Sequence, residues 1–182
     1  MQANQKSSKD GIQNILFPTA VMKITQGNNG TYSHQGINAL DLGGNGTRFP
    51  LYAPVDVVCK FVDKKEGNGN AVIWQSKSKV RFADGTIDYV TLMIIHDNSL
   101  DGIYVGVEYP QGFQIANAGD KGRVTGIHSH FEIAKGVYTK AYEQSSSGVW
   151  HLPGSISADR ACYIDNTEIQ NGNGMAWKRT NG

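Results

Sequence analysis

Five histidines occur in the sequence, and two of them, His128 and His130, bracket one serine at the head of a run that alternates as a strand does. Side chains on a strand point to opposite faces with period two. His128, His130 and Glu132 therefore share one face, and Phe131 and Ile133 share the other. Two imidazoles mounted on an apolar back face are well placed to hold a metal or to act beside one. Upstream, Ser33-His34-Gln-Gly-Ile-Asn-Ala-Leu-Asp41 supplies a further His and an Asp, seven positions apart. On a straight strand that odd spacing sends them to opposite faces, but Gly36 and Asn38 permit a bend or bulge that brings both to one centre. Joined by one histidine of the downstream pair, they make a His, Asp, His set with a fourth position left for water. That is the pattern of a catalytic zinc. The bland alternative has Asp41 capping the Gly-Gly-Asn-Gly turn after it and the histidine pair simply solvated. His96 ends the apolar run from Thr86 and reads as a site residue at the lip of a buried strand, or as an ordinary strand end. His151, in Val-Trp-His-Leu-Pro, reads as surface or structural, with a place at a substrate rim as the other option.

The elements that must position these residues are short. Runs with strand character cover 20–25, 55–62, 71–75, 79–83, 86–96, 112–116 and 130–134. Gly-Asn-Gly-Asn70 and Ala-Asp-Gly85 are strong turn signals, and the second predicts a hairpin between its flanking strands. No window keeps an amphipathic helical period over three turns. The expected fold is mainly β, or β-rich α+β: an antiparallel sheet core whose long loops form an open groove. Residues 1–14 read as a polar lead-in, 15–164 as the domain, and 165–182 as a polar tail or linker. Cys59 and Cys162 can pair across the domain or stay as two buried thiols; neither belongs to a CxxC pair, which argues against a thiolate zinc site.

Composition removes several classes. Glycine is 22 of 182 residues, about 12% against a usual ~7%. It follows no three-residue period, so the chain is not collagen, and its company of Asn and Ser marks turns. Seventeen basic and sixteen acidic residues leave a net charge of +1, too little for a binder that works by neutralising phosphates. The longest apolar run, Tyr89–Ile95, falls well short of the roughly 18 residues of a membrane-spanning helix. The opening Met1–Asp10 shows no apolar signal-peptide core.

These residues together resemble the lysostaphin/LytM-type zinc endopeptidases of bacterial peptidoglycan. Thr125-Gly-Ile-His-Ser-His-Phe-Glu132 is similar to that family's Thr-Gly-x-His-x-His-Phe-Glu signature. His34-Gln-Gly followed by Ala-Leu-Asp41-Leu is similar to its His-x-Gly…Asp element. Tyr52-Ala-Pro-Val-Asp56 and Gly69-Asn-Ala-Val-Ile73 look like the strand pair between them, and His96 falls where the family places an intermediate histidine. The resemblance runs in order from about Ile24 to Lys135. Two features depart from it. His34-x6-Asp41 is longer than the commonest His-x3-Asp, and resembles variants in phage lysins and the Ser-x-His…Ala-x-Asp element of D-Ala-D-Ala peptidases. Met-Ile-Ile-His96-Asp stands where the family has Tyr-x-His-Leu.

The resemblance implies Zn2+ as cofactor, with His34, Asp41 and His130 as ligands and His96 and His128 as unligated catalytic histidines. It implies hydrolysis of a stem or cross-bridge peptide of peptidoglycan by a monomer that neither inserts in membranes nor binds nucleic acid. With no signal peptide visible, the expectation is a phage or prophage lysin acting at the cell wall, released through a holin or carried in the virion, and having a wall-binding domain elsewhere. The alternatives are a D-Ala-D-Ala-type zinc carboxypeptidase, a non-catalytic peptidoglycan-binding member of the same fold, and a carbohydrate-binding β-domain without zinc. Degenerate members typically lose ligands, and all five proposed site residues are present.

Overall fold

The computed structural model describes residues 1–139, 142–146, 148–170 and 178–180. Its centre is an eight-stranded antiparallel sheet. In chain order the strands are β1 (Ile24–Gln26), β2 (Leu40–Gly43), β3 (Val57–Val62), β4 (Val72–Ser76), β5 (Val90–Ile95), β6 (Glu108–Tyr109), β7 (His128–Lys135) and β8 (Ser155–Ile156). Across the sheet the order is β6-β3-β4-β5-β7-β2-β1, with β8 alongside the far end of β7. The longest strand, β7, pairs its first half with β2 and its last residues with β8 on one edge, and its whole inner length with β5 on the other. Helix is limited to one turn, Ala158–Ala161, and one 3-10 turn, Glu66–Asn68, among the described residues. The β-rich expectation holds.

Alternation along β7 sorts its side chains between two packed layers. Phe131 and Ile133 enter the main core with Leu40, Leu42, Leu92, Ile94 and Trp74. On the opposite face Ala134 joins a smaller cluster of Ala71, Ile73, Met93, Ile95 and Leu152. β5, buried at all six positions, feeds both layers. Burial of such side chains is worth ~1.5–3 kcal/mol each, so the strand that carries the histidine pair is fixed from both sides.

The turn signals produce the expected local structure. Val80–Arg81 and Ile87–Asp88 pair as a hairpin around Gly85, whose φ of +87° is the left-handed conformation that glycine adopts freely. The opening residues, expected as a lead-in, are built into the domain. Ser8–Lys9 pairs with Ile12–Gln13, Asn4 donates its backbone N–H to Gly112 O at 2.9 Å, and Met1 is fully buried. Near the other end, Glu168–Ile169 pairs in parallel with Val21–Met22. Most of the expected polar tail beyond Gln170 lies outside the described residues. Cys59 and Cys162 are both buried and free. Burial lifts the Cys59 thiol to about 11 and raises that of Cys162 as well.

Candidate metal centre

Register builds the centre. Asp41 on β2 is the direct cross-strand partner of His130 on β7, so their side chains rise from the same face. His34 arrives from the loop before β2. That loop closes on itself through Gly30 N–H to Gly27 O (3.1 Å), His34 N–H to Gly30 O (3.1 Å) and Asn29 N–H to Ile37 O (2.9 Å). Gly36, at φ +76°, supplies the bend expected between His34 and Asp41. Ile37 and Ala39 anchor the loop in the interior. The bend thus places two ligands separated by an odd spacing at one point.

One oxygen lies at that point. Asp41 Oδ1 is 3.2 Å from His34 Nε2, 3.2 Å from His130 Nδ1 and 3.7 Å from His128 Nε2. The donor atoms of His34, Asp41 and His130 all lie within 4.8 Å of one another. Each of the three is also gripped by its remaining polar atom. His34 Nδ1–H donates to Gly27 O at 3.0 Å. Asp41 Oδ2 accepts from Gln26 Nε2 at 2.9 Å. His130 Nε2–H donates to Glu132 Oε1 at 2.7 Å. Carbonyl and carboxylate partners of this kind fix the tautomer and raise the basicity of a metal-binding imidazole. The inward nitrogen of His34 is buried and has no hydrogen-bond partner among the described residues. A buried nitrogen lone pair without a partner is costly unless something electropositive meets it. The donor set, two imidazoles and a carboxylate, suits zinc, and the residues fit it.

The charges agree. Burial opposes ionisation of Asp41, but the imidazoles of His130 and His34 beside it prevail and hold the carboxyl well below the usual range. Burial likewise opposes charge on His130, yet Asp41 and Glu132 on either side raise it to about 9. The cluster stabilises positive charge at its centre.

His128 and His96 form a second group beside it. Their rings lie 4.5 Å apart, and each uses Nδ1 on a backbone carbonyl: His128 on Gly126 O at 2.9 Å, His96 on Lys121 O at 2.7 Å. His128 Nε2 lies 3.7 Å from Asp41 Oδ1. Burial, then the neighbouring His128 and His130, push His96 down to about 3. Its backbone is held at φ +89°, uncommon for a residue with a Cβ. Three glycines make room for it. A Cβ on Gly119 would stand 2.1 Å from His96 O, one on Gly69 would stand 2.9 Å from His96 Nδ1, and Gly122 packs directly on Gly69.

The structure therefore brings together all five site residues read from the sequence: His34, Asp41 and His130 in one cluster, His96 and His128 beside it. Asp41 turns inward and does not act as a turn cap. His151 is not among the described residues that line the groove; its Nδ1–H donates to Leu152 O at 3.2 Å, and Leu152 N–H donates to Glu132 Oε2 at 3.0 Å. Two residues carry more than the sequence revealed. Alternation puts Glu132 on the histidine face but does not mark it as the partner of His130. Gln26 belongs to none of the sequence motifs; a bulge between β1 and β2 sets it opposite Asp41, where it holds both that carboxylate and Ser33. Its only sequence signal is its place on a strand adjacent to the Asp41 strand.

The cluster opens into a groove of about 1230 Å3, walled by Thr31 and Tyr32 on one side, 123–127 on another, and Gly148–Trp150 on a third.

No protein-family model matches the chain. Among curated proteins it is similar to Morphogenesis protein 1 of Bacillus phage B103, 34% identical over 176 residues that cover 92% of this chain and 45% of that protein. The chain thus spans less than half the length of that relative. Among solved structures it is similar to a zinc-containing peptidase from Vibrio cholerae (26% identity, 66% of this chain and 36% of that one, TM-score 0.49). It is also similar to the catalytic domain of the antimicrobial peptidase lysostaphin from Staphylococcus simulans (18% identity, 75% and 86% covered, TM-score 0.41).

Proposed function

We propose that this chain is a zinc metalloendopeptidase of the lysostaphin/LytM type that hydrolyses peptide bonds in bacterial peptidoglycan, as the catalytic part of a phage or prophage protein acting at the cell wall. The observation that carries the reading is the convergence of His34 Nε2 and His130 Nδ1 on Asp41 Oδ1, with the remaining polar atom of each residue already engaged. The similarity to a phage morphogenesis protein supports the phage setting.

His34, Asp41 and His130 would hold the zinc, which when bound supplies a Lewis acid for the scissile carbonyl and an acidified water. The protein's own part is orientation and proton handling. Gly27 O, Gln26 and Glu132 keep the three ligands turned inward. His128, with Nδ1–H tied to Gly126 O, presents Nε2 toward the centre and can take a proton from the attacking water. His96, tied to Lys121 O, stands beside it, and the pair can support the developing oxyanion and return a proton to the leaving amine. An open groove walled by glycines, Tyr32 and Trp150 admits an extended peptide.

Digestion of purified sacculi tests this. Cross-linked muropeptide dimers should disappear with release of new amino groups, cease to do so after chelation, and do so again on adding zinc. Release of terminal alanine alone would point to a carboxypeptidase. Sacculi left intact by zinc-loaded protein would contradict the reading.

A further inference from the structure

The groove wall carries a cation that the metal-centred chemistry leaves unused. Besides Asp41 and the histidines, Arg123 is the one charged side chain among the described residues that line the groove. It is exposed, whereas its neighbour Lys121 is engaged with Glu66 at 3.1 Å and Arg48 stands 4.0 Å from Asp120. Its loop is rooted in the catalytic pair. Gly119 and His128 exchange both backbone hydrogen bonds, at 2.9 and 3.1 Å, and Lys121 N–H donates to His96 O at 3.3 Å. Arg123 lies five positions before His128, so even a fully extended chain keeps it within about 18 Å. That is a few residues along a bound peptide. With a net charge of only +1, the molecule has no bulk field to draw an anionic polymer, so recognition of negative charge must be local.

We infer that Arg123 is a specificity-determining residue that receives a free carboxylate of the substrate peptide, a few residues from the scissile bond. A planar guanidinium pairs with a carboxylate through two parallel hydrogen bonds, which selects it over a carboxamide. The inference deepens the peptidase reading and rests on it.

Calorimetric titration of the zinc-loaded chain tests it, using a synthetic peptidoglycan stem peptide with free side carboxylates and the same peptide fully amidated, each also assayed for cleavage. The carboxylate peptide should bind about fivefold tighter, as expected for a partly exposed pair, and the preference should shrink with added salt. Arg123→Gln should bind both peptides equally, at the affinity of the parent chain for the amidated one, with an unchanged unfolding temperature; Arg123→Lys should keep part of the preference. Equal affinity of the parent chain for both peptides, no measurable binding of the carboxylate peptide, or a preference that survives in Arg123→Gln would each overturn the inference. Cleavage without a carboxylate preference leaves the peptidase reading standing and removes the role of Arg123. A preference without cleavage does the reverse.

Discussion

The two halves of the site are held by different means. The His34, Asp41 and His130 cluster sits on paired strands and one tightly folded loop, and its members lean on Gly27 O, Gln26 and the Glu132 carboxylate. The His96 and His128 pair sits at strand ends, and leans through Nδ1 on the backbone carbonyls of Lys121 and Gly126. One half concentrates negative charge around imidazoles, which favours a bound cation. The other ties Nδ1 of each imidazole to a neutral backbone dipole, with His128 Nε2 turned toward Asp41 Oδ1 at 3.7 Å. Strain follows the same division: His96 has a left-handed backbone supported by glycines, while neither Asp41 nor His130 does. In the proposed mechanism, holding and reacting would have separate supports.

The largest effects should come from breaking the holding half. His34→Ala or Asp41→Ala should remove zinc and wall-lytic activity together, to background in a turbidity assay. Breaking the reacting half should leave zinc in place. His128→Ala or His96→Ala should lower kcat by about 10²–10⁴-fold, and a His128→Ala protein that lyses walls at the parental rate would dissolve the distinction.

The supports should matter less than the groups they hold. Glu132→Gln keeps the shape but removes the charge facing His130, and should weaken zinc affinity by about 10–100-fold in competition with a chelator. Gly69→Ala should do the opposite, sparing zinc and lowering kcat. Its φ is +86°, and the added carbon would stand 2.6 Å from Ile95 Cγ2 and 2.9 Å from His96 Nδ1; misplacing a reacting group in this way costs about tenfold or more. The smallest effect lies away from both halves. Buried Cys59 and Cys162, each with its thiol held in the protonated form, should not react with a thiol reagent at pH 8 until the protein unfolds, and reductant should not shift its melting temperature.

Much of this arrangement was legible because strands report their faces. Alternation from His128 to Ile133 put the histidines on one side and the core on the other, and the fold keeps that division. The same reasoning located a break between His34 and Asp41, since their odd spacing demanded one and Gly36 could supply it. Other features depend on register between distant strands, which periodicity does not report. Gln26 reaches Asp41 through a bulge in the β1–β2 pairing. His96 reaches His128 because Ile95 is paired with His130, and because the chain then turns left-handed against glycines from two other loops. The opening residues looked like a polar lead-in by composition. Their attachment comes from backbone hydrogen bonds and the burial of Met1, which composition does not encode.

His128 and His130 stand two residues apart on one strand and one face, yet have opposite tasks in the proposed mechanism, so the decisive measurement is zinc per chain in single variants of each. Metal analysis after gel filtration should find one equivalent in the parent protein, one in His128→Ala and essentially none in His130→Ala. Equal loss in both variants, or zinc retained by His130→Ala and lost by His128→Ala, would contradict the assignment of ligands on which the mechanism rests.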